Sequence, residues 1–375
     1  MNKKRLIALL LVCLLALATV MGGCAKKETL AATVGDREIT LRQLENSYTN
    51  SSDYASYSGF SLDTDEGIAS YVDYLLDNLI SSNMKIYQAK LAGITLTDEE
   101  IAAAKEAAQA SYDDTYQSFV DQATEAGASS VNAYAKSLFT DALISNGTTV
   151  KKLKASLLED EENDTLVSKH KTQLLEGVAL TDEELTQKYT DELAAQKELF
   201  DSDPTQYFTY EQYSSYGYYA PPLYVPDGFF RVRQILVADE ATALLVKEKL
   251  DAGEDFETLL KEYNTDPGMD NEAYADGYLV GTGASFVEEF LNAALALEND
   301  GDVSDPVESD YGWHIIKRVS TESAHEIAYA DIKETVDAYF QSAYQAQYYQ
   351  DIVDAWVADE TLVTRYPDNY ATVGR

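Results

Sequence analysis

Arg231-Val232-Arg233-Gln234-Ile235-Leu236-Val237 is the stretch whose reading decides the fold. Polar residues alternate with apolar, β-branched ones through the run, the pattern of a strand with one face buried. Outward from it come Gly253-Glu254-Asp255-Phe256, then Glu262-Tyr263-Asn264-Thr265-Asp266-Pro267-Gly268, and lastly Tyr311-Gly312-Trp313-His314-Ile315-Ile316-Lys317. On the residues alone, Asp266 beside Pro267 reads as a turn residue. Phe286 and Phe290 are aromatics at helical spacing, which commonly serve as core. His314 alternates away from Trp313 and Ile315 on its strand. The other histidines are His170 and His325, so no histidine cluster suggests a metal site.

Along residues 231–319 this succession resembles the parvulin (PpiC-type) peptidyl-prolyl isomerases. The resemblance implies a small antiparallel sheet surrounded by helices, acting on Xaa-Pro bonds with no cofactor and no metal. Gln234 falls where the family usually carries the histidine of its first strand, and Asp266 at the acidic-or-cysteine position after the second helix. Leu279, in Gly277-Tyr278-Leu279, takes the place of an apolar wall residue. Phe286 and Phe290 occupy the Met and Phe positions that line the proline pocket. Ser309 and His314 belong to the closing strand pair, and Gly301-Asp302-Val303-Ser304-Asp305-Pro306-Val307 also fits. In the family two imidazoles face each other and orient the acidic or thiol group beside the substrate amide. A glutamine can donate and accept hydrogen bonds but has no titratable ring. The expectation is a domain that keeps its fold and pocket and isomerises more slowly than a two-histidine relative.

The N-terminus reads as a targeting segment. Lys3-Lys4-Arg5 precedes an apolar stretch from Leu6 to Val20, which is shorter than the roughly 20 residues needed to span a bilayer. Met21-Gly22-Gly23-Cys24 follows and resembles a lipoprotein signal, implying that residues 1–23 are removed and Cys24 carries a lipid. The chain would then sit on the outer face of the cytoplasmic membrane. Its only other cysteine is Cys13, inside the signal, so neither disulfide nor free thiol is expected in the mature domains. With 28 basic and 65 acidic residues the net charge is −37. Nucleic acid and anionic lipid surfaces demand basic patches, and that balance argues against both as partners.

Residues 24–199 read as a helical lobe. Ala31 to Thr40 gives a short strand-like start with a turn at Gly35-Asp36, and Ile68, Val72, Leu75 and Leu79 form an amphipathic stripe. Two helix starts repeat nearly letter for letter, Gly93-Ile94-Thr95-Leu96-Thr97-Asp98-Glu99-Glu100 and Gly177-Val178-Ala179-Leu180-Thr181-Asp182-Glu183-Glu184. In each, the threonine caps the helix and the glutamate three residues on reaches back to the cap N–H. Residues 200–228, dense in tyrosine and carrying Pro204, Pro221, Pro222 and Pro226, read as a connector. Its tyrosines either pack on a neighbouring domain or form a client-binding surface. Residues 229–322 make the isomerase domain. In 323–375, Ile332, Val336, Tyr339, Ala343, Ala346, Tyr349, Val353 and Trp356 mark one face of a long helix, expected to pack on the N-terminal helices. The whole is an α+β chain, a helical lobe from both chain ends with the catalytic domain inserted. That arrangement resembles PrsA-like foldase lipoproteins and, more distantly, SurA-like periplasmic chaperones.

Two functions follow. One is a lipid-anchored foldase isomerising Xaa-Pro bonds in newly secreted, unfolded clients, where slow proline isomerisation limits folding over tens of seconds. The other is a non-catalytic holdase that uses a degenerate parvulin domain for peptide binding, favoured by Gln234. A solute-binding lipoprotein fits poorly, because nothing reads as two α/β lobes. No phosphate-cradling loop, His-Glu-x-x-His or Gly-x-Ser-x-Gly element is present.

Overall fold

A computed structural model describes residues 29–375; the signal segment and Cys24 lie outside the described residues. The chain starts with strands β1 (Leu30–Val34) and β2 (Arg37–Thr40). Helices α1 (Leu41–Ser51), α2 (Asp65–Leu91), α3 (Asp98–Glu125), α4 (Val131–Ser145) and α5 (Val150–Leu174) follow. Next come α6 (Asp182–Ser202), α7 (Thr205–Ser214), β3 (Tyr224–Val225), β4 (Phe229–Val237), α8 (Glu240–Asp251) and α9 (Phe256–Tyr263). The chain continues with β5 (Tyr278–Val280), α10 (Glu288–Leu295), β6 (Val307–Ser309), β7 (Gly312–Glu322) and β8 (His325–Glu326). It ends with α11 (Tyr329–Val357), β9 (Val363–Arg365) and α12 (Pro367–Tyr370).

These elements form two compact units, one running up to Val178 and resuming at Gln345–Arg375, the other Ala179–Tyr344. In the first, the β1–β2 hairpin turns at Gly35-Asp36, and β9 from the far end of the chain pairs with β1. Its core gathers Ile39 and Leu44 with Val72, Leu75, Leu76, Leu79 and Ile80 of α2, so the amphipathic stripe faces inward as its spacing requires. A second cluster joins Phe139 of α4 to Leu153 and Leu157 of α5, with Tyr112, Tyr116 and Phe119 of α3 around the Phe139 ring. Both reciprocal caps form: Thr97 accepts from Glu100 N–H while the Glu100 carboxylate accepts from Thr97 N–H, and Thr181 with Glu184 repeats the pattern. These caps open α3 in the first unit and α6 in the second.

The second unit centres on a four-stranded antiparallel sheet in the order β5-β4-β7-β6. Helices α8 and α9 cover one face through Val246, Phe256 and Leu259, which meet Ile235, Val237 and Ile315. Helix α10 covers the other through Phe290 and Ala294, which meet Phe230, Val232, Val280 and Ile316. The two faces follow from the alternation along β4. The result is α+β, as the sequence implied.

The packing adds two details to these expectations. The segment after Pro204 is not wholly irregular: Pro204 stands at the N-cap of α7, where its missing N–H costs no hydrogen bond. Tyr207 and Phe208 of α7 then bury against Phe229. The stripe of α11 also divides. Ile332, Val336 and Tyr339 pack with Leu185 of α6 and Leu223 in the second unit, because α6 lies in that unit and supplies the apolar partner. Only the part from Gln345 onward, with Tyr349, Val353 and Trp356, belongs with the first unit. The divisions at 178/179 and 344/345 therefore enclose more of the chain with the sheet than boundaries at 229 and 322 would.

Candidate active site

β4 places Gln234 on the sheet face shared with Val232. Register puts Leu236 opposite His314 and Gln234 opposite Ile316, so Gln234 and His314 project from the same face of adjacent strands. Gly312 makes the hairpin into β7 possible: its φ of 125° and the close approach of Val237 O leave no room for a Cβ. Asp266 is carried by the turn after α9. Asn264 fixes that turn to β4, its Oδ1 accepting from Leu236 N–H (3.0 Å) and Asp266 N–H (3.1 Å). Gly277, at φ 96° with a virtual Cβ 2.5 Å from Val232 O, lets β5 start hard against β4 and sets Tyr278 beside Asp266.

One connected hydrogen-bond chain results. The Asp266 carboxylate accepts from Gly268 N–H on Oδ1 (2.8 Å), and on Oδ2 from Gln234 Nε2 (2.6 Å) and Tyr278 O–H (2.9 Å). A carboxylate can only accept here, so the amide end of Gln234 facing it is the NH2 and the other end is the carbonyl. That carbonyl lies 2.7 Å from His314 Nδ1, which must then carry the proton. Nε2 of His314 is left as acceptor, 2.6 Å from Ser309 Oγ, and Ser309 in turn accepts from Tyr311 N–H at 3.1 Å. Donor-to-acceptor polarity thus runs one way, from Tyr311 N–H through Ser309, His314 and Gln234 to Asp266. Burial holds the His314 imidazole below its usual pKa, against the opposing pull of the Asp266 and Glu289 charges. It is the neutral ring that fits the chain. Burial first, and then the hydrogen bond to Asp266, push the Tyr278 phenol up, keeping it a donor.

An aromatic arc closes this chain into a ring of contacts. Tyr278 meets Phe286 (centroids 5.5 Å), Phe286 meets Phe290 (4.9 Å), and Phe290 stands edge-on to His314 (5.5 Å, 67°). The structure therefore brings together Asp266, Gln234, His314, Ser309, Phe286 and Phe290. Their exposures differ: Phe290 is 2% exposed and belongs to the core behind the arc, whereas Phe286 and Tyr278 are half-buried. Leu279 is outside the hydrogen-bonded ring but packs on the same cluster as Phe286. It alternates away from Tyr278 and Val280 and packs in the cluster around Phe229 and Phe208. Tyr278 stands in the ring instead, a residue the sequence reading passed over although period-two alternation from Val280 puts it on this face. Asn264 was likewise missed as the clamp beneath Asp266. Among the described residues no cluster of histidine, cysteine, aspartate or glutamate has the makings of a metal site. The same residues contain no helix long and apolar enough to cross a membrane.

Residues 236–320 match the family described as "PPIC-type PPIASE domain", and residues 1–167 match "SurA-like N-terminal domain". The chain is 53% identical over 87 residues to the foldase protein PrsA of Geobacillus kaustophilus, covering 23% of this chain and 30% of that protein. With PrsA of Clostridium acetobutylicum it is 25% identical over 290 residues, 77% of this chain and 72% of the relative. The strongest of these likenesses thus spans under a third of the relative's length. Among solved structures, the parvulin of Nitrosopumilus maritimus is 38% identical, with 25% of this chain and 98% of that one covered, at a TM-score of 0.22. The foldase protein PrsA of Streptococcus pneumoniae is 18% identical over 95% of this chain and 97% of its own, at a TM-score of 0.27. Residues 236–320 thus match the PpiC-type peptidyl-prolyl isomerase domain, in a chain similar over part of its length to PrsA foldases and, in its N-terminal part, to SurA.

Proposed function

We propose that this chain is an exported foldase that catalyses cis/trans isomerisation of Xaa-Pro bonds in unfolded client proteins, tethered to the outer face of the cytoplasmic membrane by a lipid on Cys24. The observation that carries the reading is the ring itself: a one-way hydrogen-bond chain ending on Asp266, closed by an apolar arc. Rotation about a prolyl bond has a barrier of about 18–20 kcal/mol, set by loss of amide conjugation. The twisted amide is less polar than either planar form, so an apolar seat that displaces water favours it. Phe286 and Tyr278 offer that seat, and Phe290 behind them fixes its shape. Asp266, held by three donors, presents a fixed charge whose position the substrate cannot shift. No nucleophile, metal or cofactor enters the scheme.

Gln234 bears on the alternative, a holdase with a degenerate domain. An imidazole between Asp266 and His314 would donate to one and accept from the other, and Gln234 does both. The substitution keeps the chain closed and removes only the capacity to titrate. The experiment is prolyl-peptide turnover by the mature chain, with Asp266→Ala and His314→Ala as controls. Foldase activity predicts turnover well above the uncatalysed rate that falls at least about tenfold in both variants, a loss of about 1.4 kcal/mol of transition-state stabilisation. No turnover in the wild type, with aggregation of clients still suppressed, would leave the holdase.

A further inference from the structure

The tyrosines of the former connector divide sharply. Tyr207 and Tyr224 are buried in the cluster around Phe229, but Tyr216 and Tyr218 are 71% and 73% exposed, and Tyr213 and Tyr219 are 39% and 38% exposed. The exposed four form one patch. Tyr213 touches the rings of Tyr216, Tyr218 and Tyr219 at 6.4–6.5 Å, and Tyr216 meets Tyr218 at 6.4 Å. The patch is anchored from below: Tyr219 stacks on Tyr210 at 4.5 Å, and Tyr210 stands edge-on to fully buried Phe200. It belongs to the same unit as the isomerase sheet.

Charge decides what fits this surface. From Glu198 to Phe230 there is no lysine or arginine, while Glu198, Asp201, Asp203, Glu211 and Asp227 are acidic, in a chain of net charge −37. Elsewhere the fold satisfies tyrosine faces with ammonium groups: Lys154 lies 4.0 Å from the Tyr112 centroid, Lys333 4.9 Å from Tyr329, and Lys197 5.5 Å from Tyr224. A second copy of so acidic a chain would be repelled. We propose that Tyr213, Tyr216, Tyr218 and Tyr219 form a docking platform for extended, lysine- or arginine-bearing segments of client chains. The proposal rests on the foldase reading only in taking unfolded chains as the clients. Electron-rich faces of clustered rings attract cations, and the acidic, cation-free stretch that carries them adds to the pull.

The test uses the full mature chain and two proline-free probe peptides of equal length, a Lys-Ser-Gly repeat and a Glu-Ser-Gly repeat, with binding followed by anisotropy. Turnover of a short neutral Ala-Pro peptide is measured beside it. The variants are Tyr216→Leu with Tyr218→Leu, which keeps apolar area and removes the rings, and Tyr216→Phe with Tyr218→Phe, which keeps the rings. The lysine peptide is expected to bind better than the glutamate peptide. The leucine pair should weaken it about fivefold or more and the phenylalanine pair far less. Ala-Pro turnover should stay unchanged in both pairs. Equal binding of the two peptides, or of the leucine pair and the wild type, overturns the proposal. So does a dimer dissolved by the leucine pair in the absence of peptide binding, which would make a second copy the occupant. Lysine-peptide binding by a wild type with no Ala-Pro turnover would sink the isomerase reading and leave the platform standing.

Discussion

Replacing Gln234 by leucine tests the hydrogen-bond chain where it is most vulnerable. Gln234 is 7% exposed and His314 3%, so neither finds water when its partner goes. Leucine leaves the His314 Nδ1–H facing a methyl group, and an unpaired buried donor costs about 1–3 kcal/mol. Asp266 loses one of its three donors but keeps Tyr278 and Gly268, so that loss is the smaller part. Against these, burying an apolar side chain in place of an amide returns about 1 kcal/mol. The net expectation is a destabilisation of about 2 kcal/mol. Gln234→His, which can donate to Asp266 and accept from His314, is expected to cost under about 1 kcal/mol. The assay is urea unfolding in a Trp356→Phe background, where Trp313 on β7 is the remaining tryptophan and reports on the sheet. Leucine costing no more than histidine would refute the reasoning, because the chain would then hold nothing in place. In turnover, Gln234→His is expected to exceed the wild type; equal rates would show that a second imidazole adds nothing.

The aromatic arc predicts a division of labour. Phe290→Ala, emptying a core position, should cost about 3–5 kcal/mol of stability, whereas Phe286→Ala should cost less and instead raise KM for prolyl peptides, as paired unfolding and kinetic measurements would show. The duplicated caps give local markers: Thr97→Ala and Thr181→Ala should each cost about 1 kcal/mol, measurable by hydrogen exchange at the starts of α3 and α6 respectively. Asp160 of α5, raised to about 7 mainly by burial and then by the Glu159 and Asp164 charges, sets a pH dependence. Its carboxyl holds a proton in the fold between the ordinary value of 3.8 and about 7, where the unfolded chain has released it, so its contribution is lost as pH rises through that window. Asp160→Asn should therefore match the wild type near pH 4 and be more stable at pH 8. A stability difference independent of pH would contradict this.

What could be read from the residues depended on how local the determining contact is. The caps at Thr97 and Thr181 were legible because they close within three residues. β4 was legible because alternation is a property of the strand alone. Gln234, Asp266, Ser309 and His314 could be listed only through resemblance, since residues 80 apart meet through register across the sheet. Tyr278 went unnoticed for the same reason: a one-residue difference in phase puts it, and not Leu279, on the face of Asp266. The division of α11 was hidden because its stripe is continuous, and only the position of α6 decides which partner each half meets. Pro204 counts toward a connector by composition, yet at the N-cap of α7 it starts a helix.

The fixed direction of the chain from Tyr311 to Asp266 has one more consequence. With an amide at its middle, which does not titrate, and an imidazole whose pKa burial lowers, the link from His314 to Gln234 tends to keep its donor and acceptor roles as the medium turns mildly acidic. If the chain works beyond the cytoplasm, as proposed above, it meets whatever acidity its surroundings impose, without a buffered interior to shield it. Trading a ring that ionises for a carboxamide that does not would make such a catalyst insensitive to weather.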